Sequence, residues 1–163
     1  MTEKASSITT VCFTGHRDIE VSSAYLLPSA LKRSIRQMIS RGARRFLAGG
    51  AMGFDTLAAL CVLEMKNEFP DISLELILPC RNQSQKWDER NKKVYETVIS
   101  HADRVEYLYE TYNSTCMHDR NRRLIDLSDV VVAYLDHSGG GTDYTVSYAV
   151  KEGREIINLC GNL

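Results

Sequence analysis

Two glycine-rich segments of the chain have the composition of phosphate-binding turns. Residues 49–55 read GGAMGFD, and residues 139–142 read GGGT. Each segment lies between a short apolar run and a helical pattern, so each is predicted to join the carboxyl end of a strand to the amino end of a helix. Such a turn gathers unpaired backbone N–H groups at the positive end of a helix dipole. Both turns therefore predict binding of an anionic group such as phosphate.

Polar side chains that suit the same ligand follow the first apolar run, in residues 14–17 (TGHR). The guanidinium of Arg17 is a permanent planar cation that binds phosphate through two N–H groups, and His16 and Thr14 are further donors. The competing interpretation is a helix cap for His16 and a surface ion pair for Arg17. The position directly after a strand favours the binding role.

Asp55 has two interpretations at the predicted start of its helix. A carboxylate there can cap the helix and contribute about 1 kcal/mol to stability. It can instead accept hydrogen bonds from ribose hydroxyls, as carboxylates do in dinucleotide-binding folds. Because a carboxylate repels phosphate, we expect a ligand-binding Asp55 to face a sugar.

The elements that must position these residues alternate regularly. Strands are predicted at residues 9–13, 44–47, 73–78, 104–109, 130–134 and 155–159, and helices at 26–39, 56–67, 87–102, 117–127 and 142–152. The connections are short. This order predicts one domain over residues 1–163 with a three-layer, Rossmann-like α/β fold: a mostly parallel sheet of about six strands with helices on both faces.

Ligands of such folds bind beyond the carboxyl ends of the strands, where the loops converge. The candidate binding residues all lie in those loops: Thr14, Gly15, His16, Arg17, Gly49, Gly50, Met52, Gly53, Asp55, Arg81, Gly139, Gly140, Gly141 and Thr142. Neither standard nucleotide motif, GxGxxG after the first strand or GxxxxGK followed by Ser or Thr, is present, so a variant geometry is expected. No catalytic residue is assigned, no cofactor is required, and no metal site is expected, because His101, His118 and His137 lack metal-ligand spacing with one another.

Composition excludes several classes of partner. The formal net charge is −1, with 44% apolar and 25% charged residues, so no global positive field attracts nucleic acid. Two arginine clusters, at residues 41–45 and 120–123, are interpreted as solvated faces, with the arginines of the second pointing outward. Residues 1–10 lack the apolar core of a signal peptide and no run reaches membrane-spanning length, so a cytoplasmic location is expected. Apolar surface around Tyr107 and Tyr109 is compatible with a homo-oligomer.

The five cysteines form no CxxC pair and indicate neither a disulfide framework nor a zinc site. Cys12, Cys61 and Cys160 are predicted to be small buried hydrophobes. Cys80 and Cys116 fall in segments predicted to be loops, where a neighbouring base could activate a thiol.

Four segments together resemble the YpsA-like family of the SLOG superfamily, and the similarity spans nearly the whole chain. They are residues 13–17, residues 49–55, Arg120 with Asn121, and residues 140–142. The resemblance implies a Rossmann-like fold and a site for a nucleotide or nucleotide-derived ligand, either like ADP-ribose and NAD or a nucleoside phosphate. The leading hypothesis is accordingly a small-molecule binding module that acts as a sensor.

The resemblance leaves two other functions open. The last turn is similar to the Gly-Gly-x-Gly-Thr-x-x-Glu signature of Lonely Guy enzymes, which cleave the N-glycosidic bond of nucleoside monophosphates. Here Thr145 stands at the glutamate position, and threonine cannot replace a carboxylate as general acid. A hydrolase would need Asp55, Asp136 or Asp143 instead. The middle turn resembles that of DprA, which binds single-stranded DNA, but the absence of net positive charge argues against a nucleic-acid partner.

Overall fold

Six strands and five helices alternate along the part of the chain that the computed structural model describes, residues 7–161 and residue 163. The strands are β1 (Thr10–Gly15), β2 (Arg45–Ala48), β3 (Ser73–Cys80), β4 (Arg104–Tyr109), β5 (Val130–Tyr134) and β6 (Glu155–Asn158). The helices are α1 (Val21–Ser40), α2 (Phe54–Met65), α3 (Glu89–His101), α4 (Cys116–Leu127) and α5 (Gly140–Lys151). Residues 1–6, on which the absence of a signal peptide was partly argued, lie outside the described residues.

The strands form one parallel sheet in the order β4-β3-β2-β1-β5-β6. In the central register, Val11 of β1 is paired with Phe46 of β2 on one side and with Val130 of β5 on the other. The chain therefore winds outward from β1 to β4 and then returns to the other side of β1. A crevice is expected beyond the carboxyl ends of β1 and β5, where the winding reverses. The predicted Rossmann-like α/β fold is confirmed.

Helices cover both faces of the sheet, which is why β5 is a continuous buried apolar run. Alternate residues of β1 point to opposite faces. Phe13 packs in a large cluster with α1, α2 and α3, whereas Cys12 packs in a smaller cluster with α4 and α5. The site loops are thus anchored by strands whose side chains are fixed on both sides.

The end of β3 differs from the prediction. Pro79 was expected to close the strand, but β3 continues to Cys80, which is paired with Tyr109 of β4. The strand tolerates Pro79 because β2 ends opposite Leu76, so the missing N–H falls beyond the paired part of that neighbour. Cys80 is therefore a buried strand residue, and burial raises the pKa of its thiol.

Two other expectations about the helices are wrong. Cys116 is the buried first residue of α4 rather than part of a loop. Helix α1 begins at Val21, five residues before the predicted start, and contains Pro28. Among the described residues, no helix is long and apolar enough to cross a membrane.

The first arginine cluster makes ion pairs. Its members Arg41, Arg44 and Arg45 pair with Glu155, Asp71 and Glu75, respectively. The carboxylates neutralise this face locally, so it offers no concentrated positive field to a polyanion.

Tyr107 and Tyr109, which suggested a homo-oligomer, make contacts within the chain. The guanidinium of Arg81 lies 4.3 Å from the ring centre of Tyr107. The hydroxyl of Tyr109 donates to Asp119 at 2.7 Å. Oligomerisation stays a prediction.

Candidate functional site

An inner cavity of about 290 Å³ opens beyond the carboxyl ends of β1 and β5. Its walls come from the end of β1 and the loop after it, the turn before α2 with the start of that helix, and the amino-terminal halves of α4 and α5. The lining residues are Thr14, Gly15, His16, Arg17, Ala51, Asp55, Met117, Arg120, Asn121, Gly141 and Thr142. The structure therefore brings residues 14–17 together with part of each glycine-rich turn.

A second, outer cavity of about 600 Å³ adjoins the first and shares Arg17 and Met117 with it. Most of its lining comes from the end of β3 and the loop after it: Cys80, Asn82, Gln83, Gln85, Lys86 and Trp87, with Met52 and Tyr112. Trp87 was predicted to begin a helix, but α3 begins at Glu89, with Asp88 as its cap. The half-buried indole packs edge-on against Tyr95, with 5.1 Å between ring centres.

The glycines of the first turn support the site without lining it. The carbonyl of Gly49 accepts a hydrogen bond from the Arg120 guanidinium, and a Cβ at Gly49 would stand 2.7 Å from Arg120 Nη1. Gly53 has φ 79°, and a Cβ there would overlap the carbonyl of Arg17. Close packing is sufficient to explain glycine at these two positions.

Six predicted binding residues lie outside the lining of both cavities. They are Gly49, Gly50, Gly53, Arg81, Gly139 and Gly140. Arg81 pairs with Glu110 at 3.1 Å across the edge of the sheet. In the second turn, the N–H of Gly139 donates to Asp143 at 2.8 Å, and α5 already begins at Gly140. Only the last two residues of that turn face the inner cavity.

Arg120 is the functional candidate that the sequence-based prediction missed. It was expected to point outward but is only 4% exposed. Its Nε donates to Asn121 Oδ1 at 2.7 Å, and its Nη1 donates to the carbonyl of Gly49. Arg120 lies four residues from both Cys116 and Leu124, which are buried, so the spacing along α4 was the available signal.

Asp55 is the second residue of α2, after Phe54, so it is not the predicted cap. Its carboxylate is 6% exposed and accepts the N–H of Ala51 at 3.2 Å. Burial raises the pKa of Asp55 to about 6, against the opposing effects of Arg120, the Ala51 N–H and Arg17. A carboxyl with this pKa exchanges a proton near neutral pH, which most aspartates do not.

Several hydrogen-bond donors of the inner cavity have no protein partner. Among the described residues, no hydrogen-bond acceptor is paired with the hydroxyls of Thr14 and Thr142, the guanidinium of Arg17 or the amide nitrogen of Asn121. Arg17 also forms no ion pair within the described part of the chain, contrary to the surface-pair interpretation. A cavity that offers unpartnered donors beside the guanidinium groups of Arg17 and Arg120 is suited to an anion.

His16 is engaged with the loop after β5. Its Nε2 accepts the N–H of Asp136 at 3.2 Å, and its ring stacks on His137 with 4.0 Å between ring centres. Burial lowers the pKa of His16, His137 lowers it further, and Asp136 opposes both. This contact joins the two loops at which the winding of the sheet reverses.

Comparison with known proteins identifies relatives over most of the chain. The YpsA family model, described as the YspA SLOG family, matches residues 11–157. A UPF0398 protein of Bacillus cereus strain B4264 is 31% identical over 137 residues, which cover 81% of this chain and 73% of that protein.

Two solved structures share the fold. DprA from Streptococcus pneumoniae aligns with a TM-score of 0.70 and 18% identity over 91% of this chain, which spans only 49% of DprA. DNA processing protein A from Helicobacter pylori, whose structure concerns its single-stranded DNA binding mode, aligns with a TM-score of 0.64 and 22% identity, covering 96% of this chain and 67% of that one. Because the family model covers most of the chain, the protein belongs to the YpsA family of SLOG proteins.

Proposed function

We propose that the joined cavities bind a nucleotide derivative, with a phosphate group in the inner cavity and the base in the outer cavity. One observation carries the proposal: unpartnered donors line the inner cavity together with Arg17, which also lines the outer one. Membership of the SLOG family supports a ligand of this class.

The inner cavity supplies the charge and geometry that a phosphate needs. Gly141 and Thr142 belong to the first turn of α5, a helix of 12 residues, so its dipole favours an anion there. Arg17 and Arg120 add positive charge from two other elements. Charge-assisted hydrogen bonds contribute about 1.5–3 kcal/mol each. Three of them give roughly 4.5–9 kcal/mol before ordering costs, so binding near micromolar, which corresponds to about 8 kcal/mol, also requires burial of the base in the outer cavity.

The outer cavity suits a nucleobase. Trp87 and Tyr112 provide aromatic surface, and Asn82 and Gln83 provide amide groups that can pair with base edges. Its volume of about 600 Å³ is within the range of small-molecule sites. A ribose between base and phosphate would pass Asp55, whose carboxylate accepts hydroxyl hydrogen bonds.

Calorimetric titration with AMP, ADP-ribose and NAD tests the proposal. We expect at least one to bind near micromolar, and Arg17→Ala to weaken it about tenfold or more through loss of a charge-assisted contact. Arg36→Ala is the matched control, because Arg36 is paired with Glu68 on the surface of α1 and should leave affinity unchanged. No binding by any of the three, or equal affinity in the Arg17 variant, would contradict the proposal.

An N-glycosidic hydrolase is the second candidate, and the raised pKa of Asp55 favours it. Protonated Asp55 would give its proton to the departing base while water adds to the ribose carbon. The proton that this water loses would then pass to the Asp55 carboxylate. Asp136 and Asp143 line neither cavity, and the Thr145 hydroxyl donates to the Gly141 carbonyl at 2.8 Å. Chromatography of AMP and NAD incubations should show free base that Asp55→Asn abolishes. Absence of base release from the wild type would eliminate this activity.

Single-stranded DNA is the third candidate because of the Helicobacter pylori neighbour. The arginines of the second cluster do not form an open cationic surface: Arg120 is buried, Arg122 donates to the Tyr144 hydroxyl, and Arg123 pairs with Glu106. We therefore expect no mobility shift of a short oligonucleotide at low salt. A shift that weakens with added salt would favour the DNA-binding function instead.

A further inference from the structure

A cluster of potential metal ligands lies beside the inner cavity. His16 from the loop after β1, with Asp136 and His137 from the loop after β5, can each offer one ligand atom, and these atoms all lie within 4.8 Å of one another. His16 Nε2 stands 3.1 Å from Asp136 Oδ1, and His137 Nδ1 contacts the same oxygen. Among the described residues, no other group of three potential metal ligands has its ligand atoms this close together.

The potential ligand atoms are near enough for small side-chain movements to bring them around one ion. Zinc bonds of about 2.0–2.2 Å at tetrahedral angles hold neighbouring ligand atoms roughly 3.3–3.6 Å apart. Binding of an ion through Nε2 of the buried His16 would replace its hydrogen bond from the Asp136 N–H. The side chain of His137 is 65% exposed, so its ring has room to tilt from the stack toward a shared ion. Sequence spacing did not reveal the group because 120 residues separate His16 from Asp136.

We propose that His16, Asp136 and His137 bind a divalent transition-metal ion such as Zn²⁺ or Co²⁺. Two imidazoles and a carboxylate are a ligand set suited to such ions. Three protein ligands leave a coordination position open for water or another ligand, as in catalytic zinc sites. Since His16 lines the inner cavity, an open position there can meet a phosphate oxygen; this last contact rests on the proposed function, whereas metal binding does not.

Titration of the chelator-treated protein with Co²⁺ in the absence of nucleotide tests the site. We expect one equivalent to bind with the visible absorption of tetrahedral cobalt. Loss of groups that merely orient ligands costs roughly 10–100-fold in metal affinity, so His137→Ala should weaken Co²⁺ about 100-fold or more. His101→Ala is the matched control, because His101 is exposed at the end of α3 and bonds to the Thr97 carbonyl.

Asp136→Asn provides a second ligand variant, and circular dichroism establishes that each variant is folded. Failure of the wild type to bind Co²⁺, or unchanged affinity in folded His137→Ala and Asp136→Asn, would overturn the proposal. A thiolate-to-cobalt absorption band would also overturn it, since it would place the ion on a cysteine. Because no nucleotide is present, each of these results leaves the nucleotide proposal to its own titration.

Discussion

Replacing Asp55 with asparagine should change how the stability of the protein depends on pH. Asp55 has a pKa of about 6 in the folded protein, raised from 3.8 mainly by burial. The folded state therefore holds this proton more tightly than the unfolded state. Wild-type stability is favoured below the unfolded pKa and is lost as pH rises through the folded pKa. Asparagine does not titrate, so the variant lacks this dependence.

The size of the effect follows from the two pKa values. A rise from 3.8 to about 6 corresponds to roughly 3 kcal/mol, at 1.36 kcal/mol for each factor of ten. Between about pH 3 and pH 7, the unfolding free energy of the wild type should therefore fall by roughly 3 kcal/mol relative to Asp55→Asn. Losses that do not depend on pH, such as altered packing of the new amide, displace the whole curve without changing this slope.

Urea unfolding of both proteins across this pH range measures the difference. Asp129→Asn is the matched control: although desolvation acts to raise the pKa of Asp129, hydrogen bonds from Thr9 and Thr10 hold it below its ordinary value. The stability that ionised Asp129 contributes is present above the unfolded pKa and is lost as pH falls through the folded pKa. The unfolding free energy of the wild type relative to Asp129→Asn should therefore rise with pH, opposite to the comparison with Asp55→Asn. Parallel curves for wild type and Asp55→Asn would refute the argument that burial dominates at Asp55.

Three further predictions follow from the packing around the cavities. Gly53→Ala should lower the unfolding free energy in urea by roughly 1–3 kcal/mol, because Gly53 has φ 79° and its Cβ would overlap Arg17; an unchanged midpoint would contradict this. Phe54→Ala should cost about 3–5 kcal/mol in the same assay, because this fully buried ring packs on Tyr134, and a loss below that range would show that the core refills. Trp87→Ala should reduce calorimetric binding of AMP by roughly 1–3 kcal/mol without affecting ribose phosphate, through loss of base stacking; equal losses for both would place the base elsewhere.

The pattern of apolar runs was enough to predict the sheet and its helices. The apolar run at β5 and the alternation of strands with helices can be predicted because the spacing of apolar residues along the sequence reflects which side chains are buried. The prediction was wrong where the structure of a segment depends on an element that is distant in the sequence. Pro79 stays in β3 because β2 has already ended beside it, and that depends on how far another strand extends.

The site was only partly predictable. Residues 14–17 meet the second glycine-rich turn because β1 and β5 are adjacent. Convergence of such loops beyond the carboxyl ends of parallel strands is expected for this class of fold. The inward direction of Arg120 was not predicted, since a charged residue was assigned to the solvated face of its helix. Its burial becomes favourable only with the Gly49 carbonyl and Asp55 in place, and these come from another part of the chain.

The sequence by itself determined the order of elements, the fold class and the end of the sheet at which the candidate binding loops converge, because local periodicity and turn chemistry specify those. Only the tertiary structure decided which glycines pack closely against neighbouring residues, how the outer cavity forms, and that His16 meets His137. Those outcomes depend on contacts between residues distant in sequence, and such contacts arise only when the sheet places their loops side by side.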